Sequence, residues 1–301
     1  MSVSRPDLVP DAGLSREEME ALQREIAAAA VFEDDFAFDP RAVAASPAEP
    51  EDGAQTTLAD STAATGDAAS SDSSGSSGDA DPHSALENGT EAKPPIVAGV
   101  DQSFLTNDDG DQDRALSAVV ATQAGDVIER ASAVTDLEIP YIPGLLSFRE
   151  GKPILAALEE LSVEPDLLLF DGSGRIHFRQ AGIATHMGVV LDVPSVGVAK
   201  SLLCGTPTEE TDNLSEGTRV PIESNSRVDA PDGTLLGYAV QTRQYDSPNR
   251  YINPLYVSPG HRVGPETAAD IALDCATSYK LPEPVRLADN YAGEAKRELQ
   301  D

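Results

Sequence analysis

Three carboxylates stand where carboxylates are costly. Asp101 follows Ile96-Val97-Ala98-Gly99-Val100, a run that reads as a strand buried on both faces, where an ionised acid must be paired or metal-bound. Glu150 follows Pro143-Gly144-Leu145-Leu146-Ser147-Phe148-Arg149 and precedes Ile154, Leu155, Leu158 and Leu161, whose spacing predicts a helix with Glu150 near its N-terminus. Asp171 closes Leu167-Leu168-Leu169-Phe170 and opens Asp-Gly-Ser-Gly-Arg-Ile-His, which puts it at the C-terminal end of a strand, the edge where open α/β sheets gather ligands. Together the three suggest a metal site of the nuclease type, in which converging oxygens hold two divalent ions about 3.5–4 Å apart. Singly, two have plainer readings: Glu150 would complement a helix macrodipole, and Asp171-Gly172 is an ordinary turn pair. Asp101 is harder to dismiss, although an acidic chain offers many accidental carboxylates.

The elements that must position these acids are legible in outline. Ser15 to Glu18 forms a capping box before Met19, Leu22, Ile26 and Ala30, which predicts an amphipathic helix to about Val31 that packs on the main domain. Residues 34–94, and above all Pro40 to Pro95, where aromatic residues are absent, read as an acidic, low-complexity, disordered insertion that cannot offset its ordering entropy. Runs at Ile96–Leu105, Ala115–Thr122 and Asp126–Val134 predict an antiparallel meander. A helix after Lys152, a strand at Asp166–Phe170, a helix around Gln180–Leu191 and a strand at Ser195–Ala199 supply an α/β half. Extended segments in Arg219–Arg243 flank a Pro231-Asp232-Gly233 turn, a strand follows near Pro254–Val257, and the last helix is expected from Pro265 to Lys280. This order fits an α/β, RNase H-like fold over residues 95–301 with a mixed central sheet flanked by helices. In that fold the first strand is central, so Asp101 and Asp171 meet although 70 residues separate them.

Charge argues the other way. A net charge of −31 is the opposite of the basic surface that normally neutralises phosphates. Fourteen acids against one arginine lie between Glu33 and Glu91, and the remainder of the chain still carries −18. A salty cytoplasm resolves the conflict, since the Debye length falls to about 3 Å at 1 M salt, and the use of only five lysines fits it. Cys204 and Cys275 have no metal-ligand spacing and read as ordinary intracellular thiols. No apolar run approaches the ~20 residues that span a bilayer and the N-terminus lacks a signal sequence, so a cytoplasmic protein without a membrane partner is expected.

The flanking residues sharpen the reading. Val100-Asp101-Gln102-Ser103-Phe104, Pro140-Tyr141-Ile142-Pro143-Gly144-Leu145-Leu146-Ser147-Phe148-Arg149-Glu150, Asp171-Gly172-Ser173-Gly174-Arg175-Ile176-His177, Val196-Gly197-Val198-Ala199-Lys200 and Val257-Ser258-Pro259-Gly260-His261 occur in one order. That series resembles endonuclease V, over the N-terminal helix and roughly residues 95 to 292. The resemblance implies a monomeric Mg²⁺-dependent enzyme, with Mn²⁺ as a substitute, that recognises deoxyinosine in DNA and hydrolyses the second phosphodiester bond 3′ to it. It implies Asp101, Glu150 and Asp171 as metal ligands, His261 as the residue completing the catalytic site, and Lys200 as a phosphate contact. It further places Gly144, Leu146, Gly172, Gly174, His177 and Ile183 around the extruded base and makes Tyr141 part of the wedge that fills the gap. One departure stands out: His177-Phe178-Arg179 replaces the family's His-Pro-Arg, so the loop loses a fixed φ. His186, among Ile183, Met187 and Val190, is readable as a core or a functional histidine and stays outside the catalytic set. Inosine-specific cleavage of RNA, or another RNase H-like metal nuclease, is the alternative function. A reader of damage without catalysis would have no need of all three acids.

Overall fold

The computed structural model describes residues 1–44, 93–105, 113–246 and 250–300. Nine strands form one sheet: β1 (Ile96–Leu105), β2 (Arg114–Gln123), β3 (Asp126–Asp136), β4 (Leu167–Asp171), β5 (Ser195–Ala199), β6 (Thr206–Pro207), β7 (Arg219–Glu223), β8 (Leu235–Val240) and β9 (Leu255–His261). Their spatial order is β3-β2-β1-β4-β5-β9-β8-β7-β6. The meander is antiparallel, β1, β4 and β5 run parallel, and β9 returns antiparallel to β5. This is the mixed sheet that an RNase H-like fold requires.

Helices cover both faces because the central strands bury both. On one face α1 (Arg16–Ala29), α2 (Leu146–Glu159) and α3 (Ile183–Leu191) join Ala98, Val100, Leu168 and Phe170 in one core. On the other, α4 (Pro265–Asp274) and α5 (Glu283–Glu298) close over Val97, Leu167, Leu169, Val196 and Val198 through residues such as Ile271 and Val285. Alternate residues of β4 therefore feed opposite cores, as the strand pleat demands. Helix α1 opens on the expected capping box, Glu18 N–H donating to Ser15 Oγ and Ser15 N–H to Glu18 Oε2. Among the described residues no helix is long and apolar enough to cross a membrane.

Three boundaries differ from the sequence reading. Helix α2 begins at Leu146 and not after Lys152, so Pro153 lies inside it and Glu150 sits in its second turn. The last helix expected over 265–280 ends at Asp274, and a further helix, α5, follows. Residues 34–44, assigned by composition to the insertion, pack on the body: Asp34 accepts from Gly264 N at 2.6 Å and Thr267 Oγ1 at 2.6 Å, and Val43 is buried in the core beneath α4. The acids of this stretch had masked Phe36, Phe38 and Val43. The remainder of the expected insertion, residues 45–92, lies outside the described residues.

Candidate active site

Register brings the first two acids together. Val100 pairs with Phe170 in the parallel β1–β4 ladder, so the next residues, Asp101 and Asp171, lie side by side where β4 ends. A third carboxylate, Asp289 of α5, joins them: one oxygen from each of Asp101, Asp171 and Asp289 lies within 4.8 Å of the others. Glu150, 9% exposed, reaches in from α2 on the opposite face and lines the same cleft of about 160 Å³ with Asp101, Gln102, Phe104, Asp171 and Ile183. The acids thus draw on both faces of the sheet, Asp289 from α5 joining Asp101 and Asp171 and Glu150 from α2 lining the cleft with them.

The electrostatics are those of anions lacking sufficient counter-charge. Burial, and then the neighbouring Asp171, push Asp101 up to about 7. Burial pushes Glu150 up to about 8, Arg149 opposing it and Asp101 and Asp171 adding to it. Lys200, just after β5, places Nζ 2.7 Å from Asp171 Oδ2 and is the only cation in a described salt bridge with the four acids. Gln102 Oε1, on the cleft wall, is buried without a hydrogen-bond partner. A set of hard carboxylate oxygens with unbalanced negative charge fits a hard divalent cation such as Mg²⁺.

His261 does not belong to this group. Strand β9 runs antiparallel to β5, and His261 pairs with Ser195, at the start of β5, whereas Asp171 pairs with Val198. Three strand residues separate them, about 10 Å along the sheet, so the imidazole stands toward the opposite edge. There Nδ1 accepts from Val31 N–H at 3.2 Å and Nε2 meets Asp192 Oδ1 at 3.2 Å, while burial holds the ring below its ordinary pKa. It ties α1's exit to the turn after α3. Asp289 occupies the position the sequence reading gave to His261. Its signal was present: Pro282-Glu283-Pro284 ahead of Val285, Ala288 and Ala292 is a helix start followed by helical spacing.

The residues expected around the base divide by task. Ile183 lines the cleft, and a side chain at Gly172 (φ +155°) would meet its Cγ2 at 2.6 Å. Leu146 is half-buried at the start of α2. A Cβ at Gly174 would lie 2.3 Å from Pro259 O, so this glycine permits close packing of the loop on β9. Gly144 (φ +79°) ends the Tyr-Ile-Pro loop, and its carbonyl accepts from Gln23 Nε2 at 2.9 Å, His177 Nε2 at 3.1 Å and Arg179 Nη2 at 3.4 Å. His177, 3% exposed, also takes Arg179 N–H and Ala181 N–H on Nδ1. Its proton therefore sits on Nε2, and burial pushes its pKa down to about 3. These bonds fix the His-Phe-Arg loop without a proline. Tyr141 projects 61% exposed from the loop before α2, while its neighbour Ile142 packs against Leu145 and Phe148. His186 is a core residue, fully buried with Nε2 2.8 Å from Leu8 O.

The sequence model of the Endonuclease V family matches residues 82–290. The chain is 55% identical over 298 residues to the endonuclease V of Haloarcula marismortui, 98% of each being covered, and 50% identical over 301 residues to that of Natronomonas pharaonis, 100% of each. Both relatives come from halophilic archaea, in agreement with the reading of the acid excess. Among solved structures, the catalytic domain of human endonuclease V is similar at TM-score 0.66 and 27% identity over 95% of this chain and 99% of that one. Endonuclease V of Ciona intestinalis, in complex with a 24mer DNA containing an inosine followed by a ribo-adenosine, is similar at TM-score 0.53 and 26% identity over 68% of this chain and 87% of that one.

Proposed function

The chain belongs to the endonuclease V family, and on that premise we propose that it is a DNA-repair nuclease that recognises deoxyinosine and hydrolyses the second phosphodiester bond on its 3′ side with Mg²⁺, for which Mn²⁺ substitutes. The observation carrying the reading is the approach of Asp101, Asp171 and Asp289 within 4.8 Å at the sheet edge. These three carboxylates, with Glu150 beside them, would hold the metal. When bound, Mg²⁺ lowers the pKa of an attacking water and stabilises charge on the leaving 3′ oxygen.

The remaining work falls to the chain's own groups. Glu150, buried in the cleft beside Asp101 and Asp171, orients the attacking water and accepts its proton at a carboxylate oxygen. Lys200 Nζ, held against Asp171 Oδ2, contacts a non-bridging oxygen of the scissile phosphate. Tyr141 stacks into the gap left by the extruded base, and the Gly144 loop, pinned from below by Gln23, His177 and Arg179, frames that base. The test is cleavage of matched oligonucleotides, one DNA and one RNA, each with and without a single inosine, with Mg²⁺ and with EDTA. Mg²⁺-dependent cleavage of the inosine DNA alone is expected. Preference for the inosine RNA would reassign the natural substrate, and equal cleavage of unmodified strands would remove the lesion specificity.

A further inference from the structure

The acid cleft adjoins a pocket of opposite character. Lys200, Tyr279, Lys280, Leu281 and Arg286 line a cavity of about 390 Å³, sharing Lys200 with the acid cluster. Arg286 lies one helical turn before Asp289 on α5, pairs with Glu283, and sits 4.4 Å over the Tyr279 ring. Tyr279 is itself 53% exposed. Lysine is scarce in this chain, and the described contacts occupy most of it: Lys152 pairs with Glu138, Lys200 with Asp171, and Lys296 donates to Phe104 O. Lys280 makes no described salt bridge. Burial together with the like charge of Lys200 lowers its pKa, so the two ammoniums face each other's field. On a surface of net charge −31, converging cations beside an exposed aromatic ring complement a phosphodiester backbone and a base.

Position gives the pocket its place on the strand. Tyr141, Leu146 and Ile183 belong to the α2–α3 side of the sheet edge, whereas Lys280 and Arg286 belong to the α5 side. A strand whose lesion lies on the first side, and which is cut 3′ to it, crosses the acids and continues onto the second. We propose that this pocket seats the nucleotide on the 3′ side of the scissile bond, its phosphate between Lys200 and Lys280 and its base stacked on Tyr279. The inference rests on the nuclease reading above.

The experiment compares binding of fluorescent inosine strands that end at the scissile bond with strands carrying several further 3′ nucleotides, using Ca²⁺ in place of Mg²⁺ across a salt series. Cleavage with Mg²⁺ is read separately. For the wild type the longer strand binds more tightly. Tyr279→Ala should cut that gain by about tenfold. Lys280→Gln should lower the salt slope on the longer strand by about 0.7, with Lys280→Arg restoring it, and neither variant should alter affinity for the short strand. An extension gain identical in wild type, Tyr279→Ala and Lys280→Gln would overturn the inference while leaving inosine cleavage standing. A variant-sensitive gain on strands that are never cleaved would support the pocket and count against the proposed function.

Discussion

Val100 and Phe170 are register partners in the parallel ladder of β1 and β4, and that single pairing sets Asp101 beside Asp171. A slip of one residue would turn one of the two carboxylates to the opposite face of the sheet. The acid pair is therefore a property of the ladder, and the helices add Glu150 and Asp289 to it.

The exchange of Asp289 for His261 in the site is open to a direct comparison. Asp289→Asn should reduce single-turnover inosine cleavage at saturating Mg²⁺ by on the order of 100-fold, at the upper end of what losing a supporting metal-site group costs. His261→Gln should change that rate less than about threefold, and instead lower stability by roughly 1–2 kcal/mol through its hydrogen bonds to Val31 and Asp192. Reversed effects of the two substitutions on cleavage would return His261 to the site.

Metal and protons should compete. In the metal-free protein Asp101 and Glu150 titrate at about 7 and about 8, against about 3.9 and 4.3 in an unfolded chain. The folded state thus retains protons that the unfolded chain releases. Their contribution to stability is fully present below about pH 4 and is lost as pH rises to about 8. In EDTA, the Tm should fall over that range more steeply than in an Asp101→Asn/Glu150→Gln variant. Added Mg²⁺ should raise the wild-type Tm more at pH 8 than at pH 5, because binding at pH 5 must displace protons. Parallel pH profiles for the two proteins would disprove the linkage.

Gln23 bridges Gly144 O and Arg179, accepting from Arg179 Nε at 2.7 Å while donating to the carbonyl. Gln23→Leu removes the acceptor of Arg179 Nε and one of the three donors to Gly144 O, and should cost roughly 1–3 kcal/mol. Discrimination between inosine and adenine should fall with it, while Mg²⁺ binding followed by calorimetry stays within about twofold of wild type. An unchanged discrimination ratio would uncouple α1 from base recognition.

Tyr141→Ala should leave the unfolding free energy within about 0.5 kcal/mol of wild type because the ring is exposed. Affinity for inosine-containing over unmodified duplex should drop by about 1–3 kcal/mol as its stacking is lost. Equal losses on both duplexes would make Tyr141 a general DNA contact instead of a wedge.

Much of this site was legible because costly residues stand out in apolar runs. Asp101 and Asp171 interrupt stretches of Val and Leu, and the meander, the parallel strands and the capping box all carry local periodic signals. What escaped notice was nonlocal or low in contrast. Asp289 is one of 52 acids, on a helix whose buried stripe offers only Ala288 and Ala292 behind Val285. The displacement of His261 follows from the direction of β9, which a motif read along the chain does not reveal. Phe36, Phe38 and Val43 pack at the margin of a segment whose composition gave no hint of a core.

Because α5 supplies the fourth acid, the centre is finished only by sequence that follows all nine strands. A nascent chain whose sheet has emerged through β9 already carries Asp101, Glu150 and Asp171, yet without α5 it lacks both Asp289 and the cover over one face of the sheet. On the proposed metal role of these acids, nuclease competence waits for α5 to dock, and a chain on the ribosome that has emerged only through β9, surrounded by RNA, holds an incomplete set of ligands.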